Sequence, residues 1–112
     1  MADLIRSFHA HIYYDMATKD VAVKLREHFQ SITYSDKVLV GKMHDAPVGP
    51  HTQPMFYIGF NGIALREILN ALILRHNELS VLIHPETGDE LKDHTQYAMW
   101  LGVPIPLDLS KL

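Results

Sequence analysis

The sequence predicts an α+β domain of the ferredoxin-like βαββαβ type, with a short C-terminal helix and an extended tail. Two features of the chain carry this reading. The apolar period switches between two and about 3.6 residues in the order strand, helix, strand, strand, helix, strand, which is the split βαβ arrangement. The runs are also separated by proline, glycine, asparagine or aspartate, where the chain can turn. With 112 residues, 47% hydrophobic and 21% charged, there is material for one core and no room for a second, so residues 1–112 are read as a single domain.

Phe8-His9-Ala10-His11-Ile12-Tyr13-Tyr14-Asp15 reads as the first strand. Alternation sends Phe8, Ala10, Ile12 and Tyr14 to one face and His9, His11 and Tyr13 to the other. The first set can enter a core. The second presents two imidazoles on one side, which suits a metal ion and equally suits partly buried histidines bonded to backbone or water. After a polar turn over Asp15–Asp20, Asp20 can offer its carboxylate to the first turn of a helix. Val21, Leu25, Phe29 and Ile32 recur at helical spacing, with Lys24, Arg26, Glu27 and Gln30 mostly opposite, predicting a helix from Thr18 to about Ile32. Lys37–His44 is a β-rich second strand.

Asp45–Pro54 contains three prolines and one glycine, which break any ladder and make a rigid loop carrying His51. Met55–Phe60 is the third strand, and Asn61-Gly62 turns the chain. Leu65, Ile68, Leu69, Leu72 and Ile73 give a second helix its apolar face. Glu67 near its start and Arg75 and His76 near its end complement the helix dipole, and Asn77 can stop it in the left-handed region. Leu79–His84 is the fourth strand, followed by a β-turn over Pro85–Gly88. Asp93 with Gln96 three residues on resembles a capping box, which predicts a short helix through Trp100 ending at Gly102. Val103–Leu109 is then extended and apolar, and should lie over its own sheet or over a partner subunit.

The chain has eight histidines against ten lysines and arginines, so their placement matters. The topology makes the first strand central, taken here as parallel to the third and antiparallel to the fourth. On that basis His9, His44, His51 and His84 should share one edge of the sheet. His11 lies one pleat further in, and His94 can return over the group from the tail. Such a convergence points to a metal or acid–base site, because imidazole suits Fe(II), Zn(II), Cu and Ni. His28 and His76 fall on helices and read as solvent-facing or helix-end residues. Met43, Met55 and Met99 read as core filler. Tyr97 and Trp100 serve either as tail packing or as an aromatic wall for a planar substrate.

Composition excludes several classes. A net charge of −3 without a basic run gives no nucleic-acid footprint. The absence of cysteine removes disulfides and thiolate metal sites and fits a reducing compartment. Met1–Arg6 lacks the apolar core of a signal peptide, and no run approaches the roughly 20 apolar residues of a membrane helix. A cytoplasmic location is expected, with no membrane partner. Tyr13, Tyr57 and the 104–109 tail would leave the open sheet face too apolar for water, so a homodimer is expected.

His9-Ala-His11-Ile-Tyr-Tyr14, Val48-Gly-Pro-His51, Leu79-Ser-Val-Leu-Ile-His84-Pro-Glu-Thr-Gly88, and Asp93-His94-Thr95 with Ala98-Met-Trp100-Leu-Gly102 together resemble the DOPA 4,5-dioxygenase family. The motifs run from about Phe8 to Leu109. One departure falls in the loop, where Thr52 and Gln53 separate His51 from Pro54 and the family pattern would put proline directly after the histidine. The resemblance implies a ferredoxin-like domain of similar length that opens the ring of a catechol such as L-DOPA with O2, using non-haem Fe(II), or Zn or another divalent metal in its place. It implies three protein ligands with open positions for substrate, and a nearby neutral histidine to take and return a proton.

The assignment that follows is His11, His51 and His84 as metal ligands, with His9 and His94 as base, acid or supporting partners. A two-histidine, one-carboxylate site would instead recruit Asp15, Glu86 or Asp93, and Asp93 is preferred as a helix cap. Two other classes fit the same residues: a metal-dependent isomerase or hydrolase, and a module that binds a metal or small aromatic ligand without chemistry.

Overall fold

The computed structural model describes residues 4–112, so the first three residues of the Met1–Arg6 segment lie outside the described residues. The elements run β1 (Ser7–Tyr13), α1 (Lys19–Ser31), β2 (Val38–Val40), β3 (Met55–Asn61), α2 (Leu65–Arg75), β4 (Val81–Pro85), α3 (Glu90–Asp93) and β5 (Met99–Leu101), with a 3-10 turn at Leu109–Lys111. They form a five-stranded sheet in the order β2-β3-β1-β4-β5 with two helices on one face, an α+β sandwich of the ferredoxin-like kind.

Every strand pair is antiparallel, including β1 with β3, which the sequence reading took as parallel. The reason is geometric. β3 lies between β1 and β2, which the α1 crossover leaves running the same way, and β3 returns from β2 through a loop; it must therefore oppose both. The start of β3 and the end of β2 consequently sit at the opposite end of the sheet from the start of β1. The predicted single edge does not exist.

The alternation of β1 divides the molecule. Phe8, Ala10, Ile12 and Tyr14 enter the main core with Ala22, Leu25 and Phe29 of α1 and Ile68 and Leu72 of α2. Ile32 and Ile73, read as part of the apolar helix faces, stay largely exposed at 39% and 51%. α1 is not capped by Asp20. Asp15 and Thr18 instead bond reciprocally one turn earlier: Thr18 N donates to Asp15 Oδ1 at 2.9 Å and Asp15 N to Thr18 Oγ1 at 2.9 Å. Asn77 stops α2 with φ +54°, as its position suggested.

The tail differs most from expectation. The helix predicted from Asp93 to Trp100 is absent. α3 starts four residues earlier, where the Asp89 carboxylate accepts from Lys92 N at 3.1 Å, and Asp93 is its last residue. Met99-Trp100-Leu101 then pairs with Ile83-Leu82-Val81 as an edge strand, which leaves Met99 exposed rather than in a core. An unpaired β4 edge supplies the backbone partners that make a strand preferable to a helix here. The extended segment after Gly102 folds over its own sheet: Ile105 and Leu107 pack with Tyr13, Met55, Tyr57, Leu82 and Trp100. Three hydrogen bonds fasten it, from Ser80 Oγ to Val103 O, Thr52 Oγ1 to Pro106 O and Asp108 N to Pro50 O. No helix among the described residues is long and apolar enough to cross a membrane.

Candidate metal centre

The face of the sheet away from the helices carries a group of imidazoles. Alternation along β1 puts His9 and His11 there, and the register sets His9 directly opposite His84 of β4. α3 ends just before His94, whose ring lies 4.2 Å centroid to centroid from that of His84. His51 starts from the far end of the sheet, but the proline-rich loop folds back over the face and lays its ring 4.0 Å from that of His11. Within that loop His51 N donates to Val48 O at 3.0 Å. Five of the histidines thus meet: His9, His11, His51, His84 and His94. His44 does not. It is held at the far end by paired backbone bonds to Met55. His28 and His76 lie outside the group, His76 donating Nδ1–H to Leu79 O.

Among the described residues, one ligand atom each from His9, His11 and His84 lie within 4.8 Å of one another. His51 and His94 border that trio. His11, His51 and His84 are 4–6% exposed, whereas His9 is open at the rim and pairs through Nε2 with Glu86 Oε1 at 2.9 Å. Of the carboxylates considered, Asp15 is occupied by Thr18, Glu86 by His9 and Ser7, and buried Asp93 by Thr87 N and Thr87 Oγ1 at 2.9 and 2.6 Å. Asp93 is therefore a structural acceptor that pins the 85–88 turn, not the cap it was read as.

Hydrogen-bond bookkeeping bears on whether these residues suit a cation. Backbone carbonyls only accept, so His84 donates Nδ1–H to Pro85 O at 2.9 Å and His94 donates Nδ1–H to Glu90 O at 2.7 Å. In their neutral forms both keep Nε2 bare. The Nε2 of His84 faces the Nε2 of His11 at 3.0 Å, so at most one proton joins the two, and His11 Nδ1 is buried with no partner. A cation would engage both Nε2 lone pairs at once. Two nitrogens each about 2.1 Å from one cation at a right angle stand about 3.0 Å apart, matching this pair.

The electrostatics agree. Burial first, then repulsion from His51 and His84, holds His11 well below the ordinary imidazole value. Burial and neighbouring imidazoles push His51 down to about 4, and burial does the same for His84 against the pull of Pro85 O. His9 is lowered by burial, with Glu86 pulling the other way. The lowering favours neutral His9, His11, His51 and His84 at pH 7, which is the form that binds metal. The residues fit a divalent ion with imidazole ligands.

Aromatic side chains complete the walls. Tyr57 lies 5.1 Å from His9 and 6.1 Å from His11, and Trp100 stacks on Tyr13 at 5.8 Å and 24°. The sequence reading placed Tyr13 on this face but gave it only to a subunit interface. It is 1% exposed, and its hydroxyl lies 2.6 Å from His51 Nδ1. Its i+2 spacing from His11 was the available signal.

Fold and site define an α+β sandwich whose open face bears an imidazole cluster suited to a metal. The family model described as the Dopa 4,5-dioxygenase family matches residues 8–111, and the chain belongs to that family. An "Uncharacterized 21.2 kDa protein" of Botryotinia fuckeliana is 33% identical over 93% of this chain and 62% of its own length. The DOPA 4,5-dioxygenase of Amanita muscaria is 28% identical over 96% of this chain and 50% of its own. The chain thus spans about half to three fifths of these relatives, rather than matching their length. The crystal structure of a "putative dioxygenase" from Nostoc punctiforme superposes with a TM-score of 0.89 at 37% identity, covering 95% of this chain and 90% of that one.

Proposed function

We propose that this protein is a non-haem-iron extradiol dioxygenase that opens the aromatic ring of a catechol, such as L-DOPA, with O2. The observation that carries the reading is the meeting of five imidazoles from β1, β4, the 45–54 loop and the end of α3 in a chain of this family. His11, His51 and His84, the most buried of the group, hold the metal. When bound, Fe(II) supplies a site where the two catechol oxygens and O2 can meet. Both atoms of O2 enter the ring-opened product, so the overall change needs no external reductant.

The chain's own residues handle protons and position. His9 gives Nε2–H to Glu86, which leaves Nδ1 bare to take a catechol hydroxyl proton; Glu86 steadies the imidazolium that results. His94 gives Nδ1–H to Glu90 O, leaving its Nε2 bare to share or return that proton. Tyr57 and Trp100 flank the group with flat apolar surface suited to an aromatic ring.

A second assignment has its own support: the mutual 4.8 Å spacing of His9, His11 and His84 favours His9 as the third ligand. The test is anaerobic reconstitution with Fe(II), then addition of L-DOPA or a simpler catechol in air, following oxygen uptake and visible absorbance together. Stoichiometric uptake with a yellow semialdehyde is expected. Binding of catechol without uptake would leave a ligand-binding module, and neither signal would return the choice to an isomerase or hydrolase. His51→Ala should abolish metal binding with the fold intact, while His9→Ala should keep the metal and lose turnover; the reverse pattern would install His9 as the ligand.

A further inference from the structure

We propose that Tyr13 is the positioning residue for His51: its buried hydroxyl holds Nδ1 and fixes the ring against His11, whichever ring nitrogen carries the proton. This rests on the reading of the cluster as a metal and proton-transfer site.

His9, His11 and His84 are aimed by the strand ladder. His51 sits on a proline-rich loop, where no ladder sets the direction of its side chain. Its orientation must come from contacts. Tyr13 supplies a rigid one. The ring is wedged in the cluster with Met55 and Leu82, lies against Trp100 at 5.8 Å, and is covered by Ile105 and Leu107 of the tail. The tail also fastens the loop on either side of His51, through Asp108 N to Pro50 O at 2.8 Å and Thr52 Oγ1 to Pro106 O at 2.7 Å. The hydroxyl is therefore fixed relative to both β1 and the loop, and it meets His51 Nδ1 at 2.6 Å.

The chemistry of the partner distinguishes His51 from its neighbours. His84 and His94 bond their Nδ1 to carbonyls, which accept only and so permit one neutral tautomer. A phenol hydroxyl can donate or accept. It donates to a bare Nδ1 when Nε2 carries the proton, and accepts from Nδ1–H when Nε2 must be bare for a cation. Tyr13 thus lets His51 change tautomer on metal binding without losing its hydrogen bond. The polar partner of a metal-bound histidine is worth about 10- to 100-fold in metal affinity.

Tyr13→Phe removes the hydroxyl and keeps the ring on Trp100. Nitrogen-15 spectra of the metal-free wild type should show a hydrogen bond at His51 Nδ1 in whichever tautomer the ring adopts. In the variant that hydrogen bond should be lost, while His84 and His94 stay unchanged. Calorimetry with Zn(II) should give binding about 10- to 100-fold weaker in the variant. Wild-type affinity in the variant, with an unchanged His51 spectrum, would overturn the proposal. If the wild type binds neither Zn(II) nor Fe(II), the metal reading fails, and the metal-free spectra alone decide the role of Tyr13. If the variant does not fold, the wild-type spectrum decides: a His51 with no hydrogen bond at Nδ1 overturns the proposal.

Discussion

Acidifying the metal-free protein should destabilise it over the imidazole range, before its lowered aspartates titrate. His51 and His84 fall from 6.5 to about 4 on folding, and His11 moves well down in the same direction. Between about pH 6.5 and pH 4 the unfolded chain holds protons on these rings that the folded chain does not. The slope of unfolding free energy with pH follows the protons bound unfolded minus those bound folded, so it is positive here. The stability is fully present above pH 6.5 and is lost as pH falls towards 4. One pH unit of such displacement is worth about 1.4 kcal/mol per group. Since a charge on one ring repels the next, the contributions do not simply add. A loss of about 2–5 kcal/mol between pH 7 and pH 4.5 is expected, a large share of a typical 5–15 kcal/mol domain. Asp15, Asp36 and Asp45 are lowered below 3.8 and titrate beneath this window. The measurement is urea unfolding after chelation at several pH values, read from the single tryptophan, Trp100, which stacks on Tyr13 beside the cluster. An unfolding free energy flat to within about 0.5 kcal/mol from pH 7 to 4.5 would refute the linkage argued here.

Two further substitutions test the supports of the site. Asp93→Ala leaves the Thr87 amide and hydroxyl without their buried acceptor and should cost about 2–4 kcal/mol in urea unfolding, with Asp93→Asn restoring part of it; a cost below about 0.5 kcal/mol would mean water replaces the carboxylate. Gly41→Ala would drive its Cβ into Cε1 and Cδ1 of Tyr57, so the ring is expected to shift and change its packing on His9. The expected signs are a loss of about 1–3 kcal/mol and of the Tyr57–His9 proton contact by NMR, and an unchanged contact would show that the backbone yields instead.

Most of the scaffold follows from local pattern. Helices α1 and α2 and strands β1, β3 and β4 lie within a few residues of where periodicity put them, because burial of one face imposes its period on the chain. The division of β1 into a core face and a histidine face is the clearest instance. The tail was misread because two aspartates, Asp89 and Asp93, both stand where a helix cap could be. Choosing between them takes the Thr87 donors that bury one and the β4 edge that claims the residues from Met99 onward. The convergence of His44 was wrong for a related reason: a strand's direction is a property of the sheet, and with β3 antiparallel to β1 the end of β2 lies away from the cluster.

By itself, then, the sequence determined the fold class, the face on which His9 and His11 stand, and a set of histidines that includes every ring of the cluster. These depend on period, turn chemistry and composition, each readable over a few residues. Only the tertiary structure decided that the proline-rich loop brings His51 back across the sheet, that the tail covers its own open face, and that Tyr13 meets His51. The Tyr13–His51 and Thr52–Pro106 bonds join residues 38 and 54 positions apart, and the geometry of such contacts depends on how strands pair and loops close.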